Sequence, residues 1–289
     1  MDREKEVYVG RFYGERRRQI GADTIQTYSE GVGDFNPWYF GDSPFGGPVA
    51  PALVLHSEVY KDLGWYLSVF GNLHARQEWE LFHPIMVDSE VTARSQIVDR
   101  YSKRDRDYVV NEVSIFGADG RLMNRGRTHQ SFLQKRTGED RVVVDKDREK
   151  RADRKFEVED GDVLEELSGP GKLISIEMCQ KFSGPQKNYH NDVESARALG
   201  FPEIVVQGMM SLCFISEVMT RRFGQGWYQG GRMNVNLVNV VWQGETITAR
   251  GLVRAVTSEG SARRTQLDVW CEKEDGTKVV VGSASGLEF

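Results

Sequence analysis

The apolar positions in the second half of the chain predict one long helix between about residues 208 and 223. They recur at the 3.6-residue period of an α-helix, with one polar member in the row: Met209, Leu212, Cys213, Ser216 and Met219. Arg221 and Arg222 form a basic last turn, and Gly224 supplies the stop. A helix with such an apolar face needs a partner surface, so we expect it to be buried.

Segments of alternating apolar and polar residues follow this helix. Met233 to Leu237 alternates most clearly, which predicts a strand with one buried and one wetted face. Glu274-Asp275-Gly276-Thr277 is typical of a hairpin turn between the last two of three or four strands. A sheet that curls around the long helix buries both apolar faces, which predicts an α+β fold.

The first half of the chain repeats the same pattern. Thr92-Ala93-Arg94 recurs as Thr248-Ala249-Arg250, and Asp119-Gly120 recurs as Asp275-Gly276, each time 156 positions later. Such self-similarity at a fixed period indicates a duplicated structural unit. We therefore expect each half to contain a short helix, a loop, a long apolar helix and a run of strands, with the two sheets paired edge to edge.

The short helix near the start of each half is predicted from its capping residues. Thr24 and Ser175 are typical N-cap residues. Gly33 and Gly184 follow at matching places, 151 positions apart. The shorter spacing means that the second copy gained about five residues further along.

A charged segment separates the two copies. Residues 135–155 are mostly Lys, Arg, Asp and Glu, and such a run cannot bury enough apolar surface to order itself. We therefore predict an N-terminal repeat over 1–134, a charged linker over 135–155 and a C-terminal repeat over 156–289.

Composition removes several classes of function. The 289 residues carry a net charge of −5, so no basic footprint for nucleic acid is present. The three cysteines lie far apart and in no metal-ligand spacing, which speaks against a disulfide framework or a zinc site. The first residues lack an apolar signal-peptide core, and no apolar run is long enough for a membrane span. We expect a soluble, cytoplasmic protein.

The loop before the second long helix carries the candidate chemistry. His190 is the one histidine in the second half of the chain, and it lies in a Gly/Pro/Asn-rich loop. Gly208 follows at the predicted start of the long helix, where backbone N–H groups have no helical partner. An imidazole that moves a proton and a helix end that stabilises a carbonyl oxygen suit chemistry alpha to a carbonyl.

These residues resemble the signature of the MaoC-like dehydratases, also called (R)-specific enoyl-CoA hydratases. That signature runs roughly Gly-Asp-x-Asn-Pro-hydrophobic-His, then a short helix, then His-Gly-Met. His190 takes the histidine position, and Gln207-Gly208-Met209 takes the final triplet with glutamine in place of histidine. The first copy matches through Gly33-Asp34 and Asn36-Pro37, with Tyr39 at the histidine position.

The resemblance implies a double hot-dog fold, with two tandem repeats that each wrap an antiparallel sheet around one long helix. It further implies a non-catalytic first repeat and a catalytic second one, in which His190 is the general acid/base and the Gly208 amide holds the thioester oxygen. Asp34 is an outside candidate for catalysis. Residues expected to contact the substrate are Gln186, Asn188, Asp192, Gln207 and Met209.

The implied substrate is an enoyl or 3-hydroxyacyl thioester of coenzyme A or of an acyl-carrier protein. No metal, redox cofactor, nucleic acid or membrane is expected to take part. A homodimer fits the family.

The family pairs its histidine with an aspartate five residues earlier, and this position holds Pro185 in the second copy. Three accounts remain open. His190 can act alone or with a neighbour such as Gln186 or Asn188; it can converge with Asp34; or the protein binds an acyl thioester without the standard chemistry. Rival functions are a thioesterase that uses Asp192 or Glu194, an isomerase, and a non-catalytic acyl-binding subunit.

Overall fold

The computed structural model describes residues 7–62, 72–103, 106–133 and 162–289. The predicted linker at 135–155 lies outside these residues, so the boundaries of the two repeats stay a prediction. In the described residues up to 133, the elements are β1 (Phe12–Ile20), α1 (Ala22–Val32), two 3-10 helices (Pro37–Tyr39 and His56–Tyr60), β2 (Leu73–Leu81), β3 (Ser89–Lys103), β4 (Arg106–Gly117) and β5 (Leu122–Leu133).

The described residues from 162 onward carry the second series of elements. These are β6 (Glu165–Ser168), β7 (Lys172–Leu173), α2 (Ile176–Ser183), α3 (Val193–Ala198), α4 (Met209–Phe223), α5 (Gln225–Tyr228), β8 (Arg232–Leu237), β9 (Thr246–Glu259), β10 (Ala262–Lys273) and β11 (Lys278–Glu288).

All of these strands join in one antiparallel sheet. Its order is β1-β3-β4-β5-β2-β8-β11-β10-β9-β6, and β7 also pairs with β9. The second half of this order is the first half reversed, so the repeats face each other across β2 and β8. At this junction Arg76 pairs with Asn236 and Glu80 pairs with Arg232. The predicted edge-to-edge pairing of the two sheets is confirmed.

The strand registers confirm the duplication. Val113 of β4 pairs with Gly126 of β5, and Val269 of β10 pairs with Gly282 of β11, so both partners move together by the 156 positions found in the sequence. The irregularity in the β3–β4 pairing next to residue 97 recurs in the β9–β10 pairing next to residue 253, at the same offset. A shared register with shared irregularities is the structural form of a tandem repeat.

The two paired glycines are explained by close packing. A Cβ atom at Gly126 would lie 2.6 Å from the Trp79 ring. A Cβ atom at Gly282 would overlap the Asn234 carbonyl oxygen and lie 2.6 Å from the Val235 Cα. Glycine at these positions therefore lets the neighbouring strand or side chain approach.

The predicted long helix of the second repeat is α4, and it forms the centre of the core. Thirteen of its fifteen residues are buried, and Arg221 and Arg222 are the two that are not. It packs against β9, β10 and β11 of the sheet around it. The burial extends beyond the predicted stripe because the sheet covers one side of the helix and the first repeat covers another.

In the first repeat, the predicted long helix between His56 and His74 can be compared with the structure only up to residue 62. Residues 52–62 form turns and the 3-10 helix His56–Tyr60, and residues 63–71 lie outside the described part. The Asn111 side-chain amide donates to the Val59 carbonyl at 3.1 Å and so occupies an acceptor of this segment. Ser95 donates to the Asn111 side-chain oxygen at 3.0 Å. At the equivalent positions the second repeat has Leu267 and Gly251, which pack without competing for the helix backbone.

One of the two predicted N-caps is wrong. Ser175 caps α2, since its side chain accepts a hydrogen bond from the Met178 backbone N–H at 3.2 Å. The N-cap of α1 is Gly21 instead of Thr24, and Thr24 lies inside the first turn. The Thr24 N–H donates to the Gly21 carbonyl, which shows that the helix has already begun there.

Candidate active site

The loop between α2 and α3, residues 184–192, is held by two asparagines. The side-chain amides of Asn188 and Asn191 each donate to the backbone carbonyls of Ser183 and Gln186, at 2.9 to 3.2 Å. The Asn191 side-chain oxygen accepts from the Asn188 backbone N–H at 2.8 Å. These bonds fix the loop through its own side chains, a common role of asparagine in turns. Asn188, which we expected to contact the substrate, is thus largely committed to the loop.

His190 has one tethered and one free ring nitrogen. Its Nδ1–H donates to the Val205 carbonyl at 2.7 Å, and its backbone N–H donates to the Asn188 side-chain oxygen at 2.9 Å. A carbonyl only accepts, so the ring proton is on Nδ1 and the lone pair is on Nε2. Nε2 has no hydrogen-bond partner among the described residues.

The ring of His190 is neutral near pH 7. Burial lowers its pKa to about 4, although the hydrogen bond to the Val205 carbonyl opposes that shift. The Tyr189 ring covers it, with the two ring centroids 3.9 Å apart. A neutral imidazole with a free Nε2 can accept a proton from a ligand.

The first turn of α4 leaves backbone donors available. The Met210 N–H donates to the Gln207 carbonyl and the Ser211 N–H donates to the Gly208 carbonyl. The N–H groups of Gly208 and Met209 bond to no described residue, and no side chain caps this end. A helix N-terminus carries partial positive charge, so these donors favour an oxygen on which negative charge develops.

Gly208 is required by its surroundings. A Cβ atom there would overlap the Leu237 Cδ2 atom. Next to it, the Gln207 side-chain oxygen is buried and has no hydrogen-bond partner among the described residues. Val205, which anchors His190, lies three residues before Gly208, so one short segment links the imidazole to the free helix end.

The two carboxylates near His190, Asp192 and Glu194, differ in their surroundings. Asp192 caps α3: its carboxylate accepts from the Ser195 backbone N–H at 3.0 Å and from its hydroxyl at 2.8 Å, and it pairs with Lys187 at 2.9 Å. The Lys187 and Ser195 contacts lower the pKa of Asp192 to about 2. Glu194 is 79% exposed and pairs with Arg197. The Asp192 carboxylate is thus committed to the α3 cap, whereas Glu194 is exposed to solvent and has only a surface contact with Arg197.

The other residues that we expected near the substrate differ in their exposure to solvent. Gln186 has an exposed side chain, and its carbonyl accepts the bonds from Asn188 and Asn191. Met209 is fully buried in the core, which speaks against the expected contact of its side chain with the substrate. Pro185 occupies the place of the family aspartate and offers no proton.

The equivalent loop of the first repeat carries Tyr39 where the second has His190. The Val49 N–H donates to the Trp38 carbonyl just as the Val205 N–H donates to the Tyr189 carbonyl. This shared bond aligns the two loops and confirms the match of Tyr39 with His190.

Asp34 and Tyr39 form a buried pair. The Tyr39 hydroxyl donates to the Asp34 carboxylate at 2.8 Å, and the two residues are 3% and 4% exposed. Burial raises the pKa of Asp34, and the nearby charge of Glu217 adds to the effect. Lys172 joins the two repeats beside this pair. Its ammonium group donates to the Val32 carbonyl at 2.9 Å and forms an ion pair with Glu217.

No described contact joins Asp34 to His190. Asp34 lies near Glu217 in the third turn of α4, whereas His190 is tied to Val205 before that helix begins. Nine residues separate Gly208 from Glu217, which is about 13 Å along a helix. Asp34 therefore lies about two and a half turns along α4 from the helix end that follows the His190 loop.

Sequence reasoning missed the partners that define these two environments. The Val205 carbonyl sets the tautomer of His190, and Lys172 and Glu217 flank the first-repeat pair. Glu217 could have been recognised from the sequence, because it is a charged residue within an apolar helical run. The role of the Val205 carbonyl could not have been recognised, since any residue supplies a backbone carbonyl.

Comparisons with known proteins identify similar families and similar solved structures. Residues 7–123 match the family model described as "FAS1-like, dehydratase domain region". A solved MaoC-like dehydratase aligns over 98% of both chains with 16% identity and a TM-score of 0.71. A conserved hypothetical protein from Mycobacterium tuberculosis with a double hotdog fold aligns over 99% of this chain and 98% of its own, with 13% identity and a TM-score of 0.66.

A longer protein also contains this architecture. The full-length peroxisomal multifunctional enzyme type 2 from Drosophila melanogaster aligns over 95% of this chain with 17% identity and a TM-score of 0.65. This chain spans 48% of that enzyme. A sequence search found no significant match among curated proteins.

Within the described part of the chain, none of the helices is long and apolar enough to cross a membrane. The expected resemblance and the expected fold both agree with the comparisons. The chain is a double hot-dog protein that resembles the MaoC-like dehydratases, and its first repeat matches the dehydratase region of the FAS1-like family.

Proposed function

We propose that this protein is an acyl-thioester hydratase or dehydratase that acts on an enoyl or 3-hydroxyacyl group carried by coenzyme A or by an acyl-carrier protein. One observation carries the proposal: a neutral imidazole with a free Nε2 is tethered to the segment that leads into an uncapped helix end. This arrangement supplies a base and an oxyanion site together, as addition of water to an enoyl thioester requires.

A single imidazole completes the reaction. In hydration, His190 Nε2 takes a proton from water as the water oxygen bonds to the β-carbon of the enoyl group. The double-bond electrons move to the thioester carbonyl, and the resulting enolate oxygen accepts from the Gly208 N–H. The imidazolium then returns its proton to the α-carbon. Dehydration is the reverse, with hydroxide leaving the β-carbon and taking its proton from His190.

This route needs no second acid/base residue, and the loop offers none. Pro185 stands at the family aspartate position, and the Asp192 carboxylate is committed to the α3 cap. The buried Gln207 side-chain oxygen, which lacks a described partner, is proposed to accept a hydrogen bond from substrate or water. Asp34 lies in a closed environment with its own donor, which supports a structural role.

The experiment is an assay with enoyl-CoA esters of short, branched and aromatic type. Loss of enoyl absorbance is followed beside release of free thiol. We expect absorbance loss without thiol release, at least a hundred-fold reduction in His190→Ala, and near-normal activity in Asp34→Asn, which keeps the Tyr39 hydrogen bond. Thiol release would instead indicate a thioesterase.

A different outcome supports the non-catalytic alternative. If no tested ester reacts but the protein binds them, and His190→Ala binds equally well, the chain is an acyl-binding subunit. The missing aspartate is the specific observation that keeps this alternative under test.

A further inference from the structure

The side chain of Tyr228, at the end of α5 in the second repeat, reaches into the first repeat. Its ring contacts the Phe45 ring with the two centroids 5.3 Å apart, and it lines one small cavity together with Pro51 and Ala52. Burial raises the pKa of Tyr228, and contact with the Tyr39 hydroxyl opposes this rise. Tyr228 is only 2% exposed, so these first-repeat residues enclose it.

The residues around Tyr228 have equivalents in the second repeat. The bridge between Val49 and Met86 recurs between Val205 and Trp242, and each residue lies 156 positions later. The equivalents of Tyr39, Phe45, Pro51 and Ala52 all lie at or beside the candidate active site: His190, Phe201, Gln207 and Gly208. Tyr228 therefore occupies in the first repeat the place that corresponds to the candidate site of the second.

A row of aromatic rings begins at His190. The Tyr189 ring lies 3.9 Å from the His190 ring, Phe201 is stacked on Tyr189 at 5.7 Å, and Trp242 meets Phe201 edge-on at 6.3 Å. Tyr189, Phe201 and Trp242 are all partly exposed. The candidate site thus combines a reactive imidazole with an aromatic wall that solvent can reach.

The equivalent phenylalanines differ in one ring neighbour. Phe45 contacts the rings of Trp38 and Tyr228, and Tyr228 comes from the other repeat. The position 156 residues before Tyr228 holds Asn72, which has no ring. Within the described part of the chain, Phe201 contacts no ring of the first repeat. Tyr228 therefore shows which group fits among these positions: a phenol ring against the phenylalanine, with its oxygen at the histidine position.

We propose that the acyl group held at His190 carries an aromatic ring on its β-carbon, and that this ring packs against Phe201 as Tyr228 packs against Phe45. This inference rests on the proposed function, because it takes His190 as the acid/base. The phenol oxygen of Tyr228 corresponds to the β-hydroxyl or the attacking water, and its ring corresponds to the substituent of the β-carbon. Aromatic pairs about 4.5–7 Å apart gain stability beyond the burial of their area, so Phe201 favours an aryl over an alkyl substituent.

Binding of two unreactive thioesters tests this ring site apart from catalysis. 3-Phenylpropionyl-CoA and 3-cyclohexylpropionyl-CoA have the same carbon skeleton, and neither has a double bond or a β-hydroxyl. In calorimetric titrations of the full chain, we expect the phenyl ester to bind about five-fold tighter. Phe201→Leu should abolish this preference and Phe201→Tyr should retain it. Phe45→Leu, the matched change in the first repeat, should also retain it, and near-ultraviolet circular dichroism verifies that each variant folds.

Dehydration rates separate this inference from the proposed function. We expect the full chain to dehydrate both 3-hydroxy-3-phenylpropionyl-CoA and its cyclohexyl analogue, and the ratio of their kcat/KM values to fall about five-fold in Phe201→Leu only. If the phenyl and cyclohexyl esters bind alike, or if Phe201→Leu retains the preference, the ring site is overturned even when dehydration is observed. If the phenyl ester binds tighter through Phe201 but neither 3-hydroxy ester reacts, the ring site stands and the hydratase function fails.

Discussion

At the scale of single residues, the two equivalent loops show how one substitution redirects a hydrogen bond. Tyr39 donates to Asp34, five residues before it. His190 has Pro185 at that distance, and its ring instead donates from Nδ1 to the Val205 carbonyl. The carbonyl fixes the tautomer as a carboxylate would, but it cannot take the proton. His190 is thus oriented by the backbone and left with a free Nε2.

The pH dependence of activity tests the state of this imidazole. Burial lowers the pKa of His190 to about 4 from the ordinary value of about 6.5. The base must be neutral, so kcat/KM should be level from pH 6 to 8 and fall only as the pH drops through about 4. The measurement is a kcat/KM profile with circular dichroism at each pH to exclude unfolding. An inflection near pH 6.5 would contradict the buried environment.

Gly208 allows a test of the helix end without touching the imidazole. Gly208→Ala places a methyl group against Leu237 and should shift the first turn of α4. Because misplacement of an oxyanion donor costs far more rate than stability, we expect kcat to fall about ten-fold or more. The double variant with Leu237→Ala opens space for the methyl group and should recover most of that rate.

The single variants Gly208→Ala and Leu237→Ala and their double variant together test this explanation. If Leu237→Ala alone lowers kcat as far as Gly208→Ala does, and the double variant shows no recovery, the contact with Leu237 does not position the helix end.

At the scale of elements, the two short helices differ in how they begin. Ser175 accepts a hydrogen bond from the third residue of α2, which satisfies one of the free N–H groups of a helix start. Gly21 begins α1 with no side-chain cap. Thr24 is a good capping residue in sequence terms, but it lies three positions too late to act as one.

A pair of alanine variants separates these roles. Ser175→Ala should reduce the free energy of unfolding by about 1 kcal/mol, because it removes a cap. Thr24→Ala should leave it nearly unchanged or raise it by a few tenths of a kcal/mol, because alanine is the better residue inside a helix. Urea unfolding of both variants checks this, and an equal loss in both would show that Thr24 contributes to the start of α1.

At the scale of the whole molecule, the sheet is continuous across the two repeats. The junction of β2 with β8 has Glu78 opposite Asn234, and these positions are themselves related by the repeat offset. The duplication therefore has its symmetry axis at this pair. Burying the edge strands against each other also removes two exposed edges, which protects against unwanted strand pairing.

Gly282 tests how tightly this sheet is built. Gly282→Ala would push the backbone of β11 away from Asn234 and Val235 of β8, next to the junction. Because backbone has to move, we expect a loss of about 3 kcal/mol or more in the free energy of unfolding. Gly47→Ala is the matched control, since its Cβ would meet Met86 at an ordinary 3.8 Å and should change stability by less than about 1 kcal/mol. Similar losses in both would contradict the packing argument.

Much of the architecture was determined by local pattern. The 3.6-residue period of α4, the alternation in β8 and the repeat of Asp119-Gly120 as Asp275-Gly276 each arise from neighbouring residues, so the chain itself contains the information for elements, turns and duplication. The identity of His190 and of the residues around Gly208 was also visible there, because a loop histidine and a helix-start glycine are local features.

Only the tertiary structure decided which atoms meet. The Val205 carbonyl that orients His190, the enclosure of Asp34 by residues of the second repeat, and the contact of Asn111 with the 3-10 helix His56–Tyr60 all depend on contacts between residues that are not neighbours in sequence. Such contacts depend on how loops, helices and the sheet pack together, and backbone groups, which every residue carries, take part in them. For that reason the pattern of residue types predicted the fold, whereas the orientation and protonation of the imidazole followed from the Val205 carbonyl and from burial of the ring.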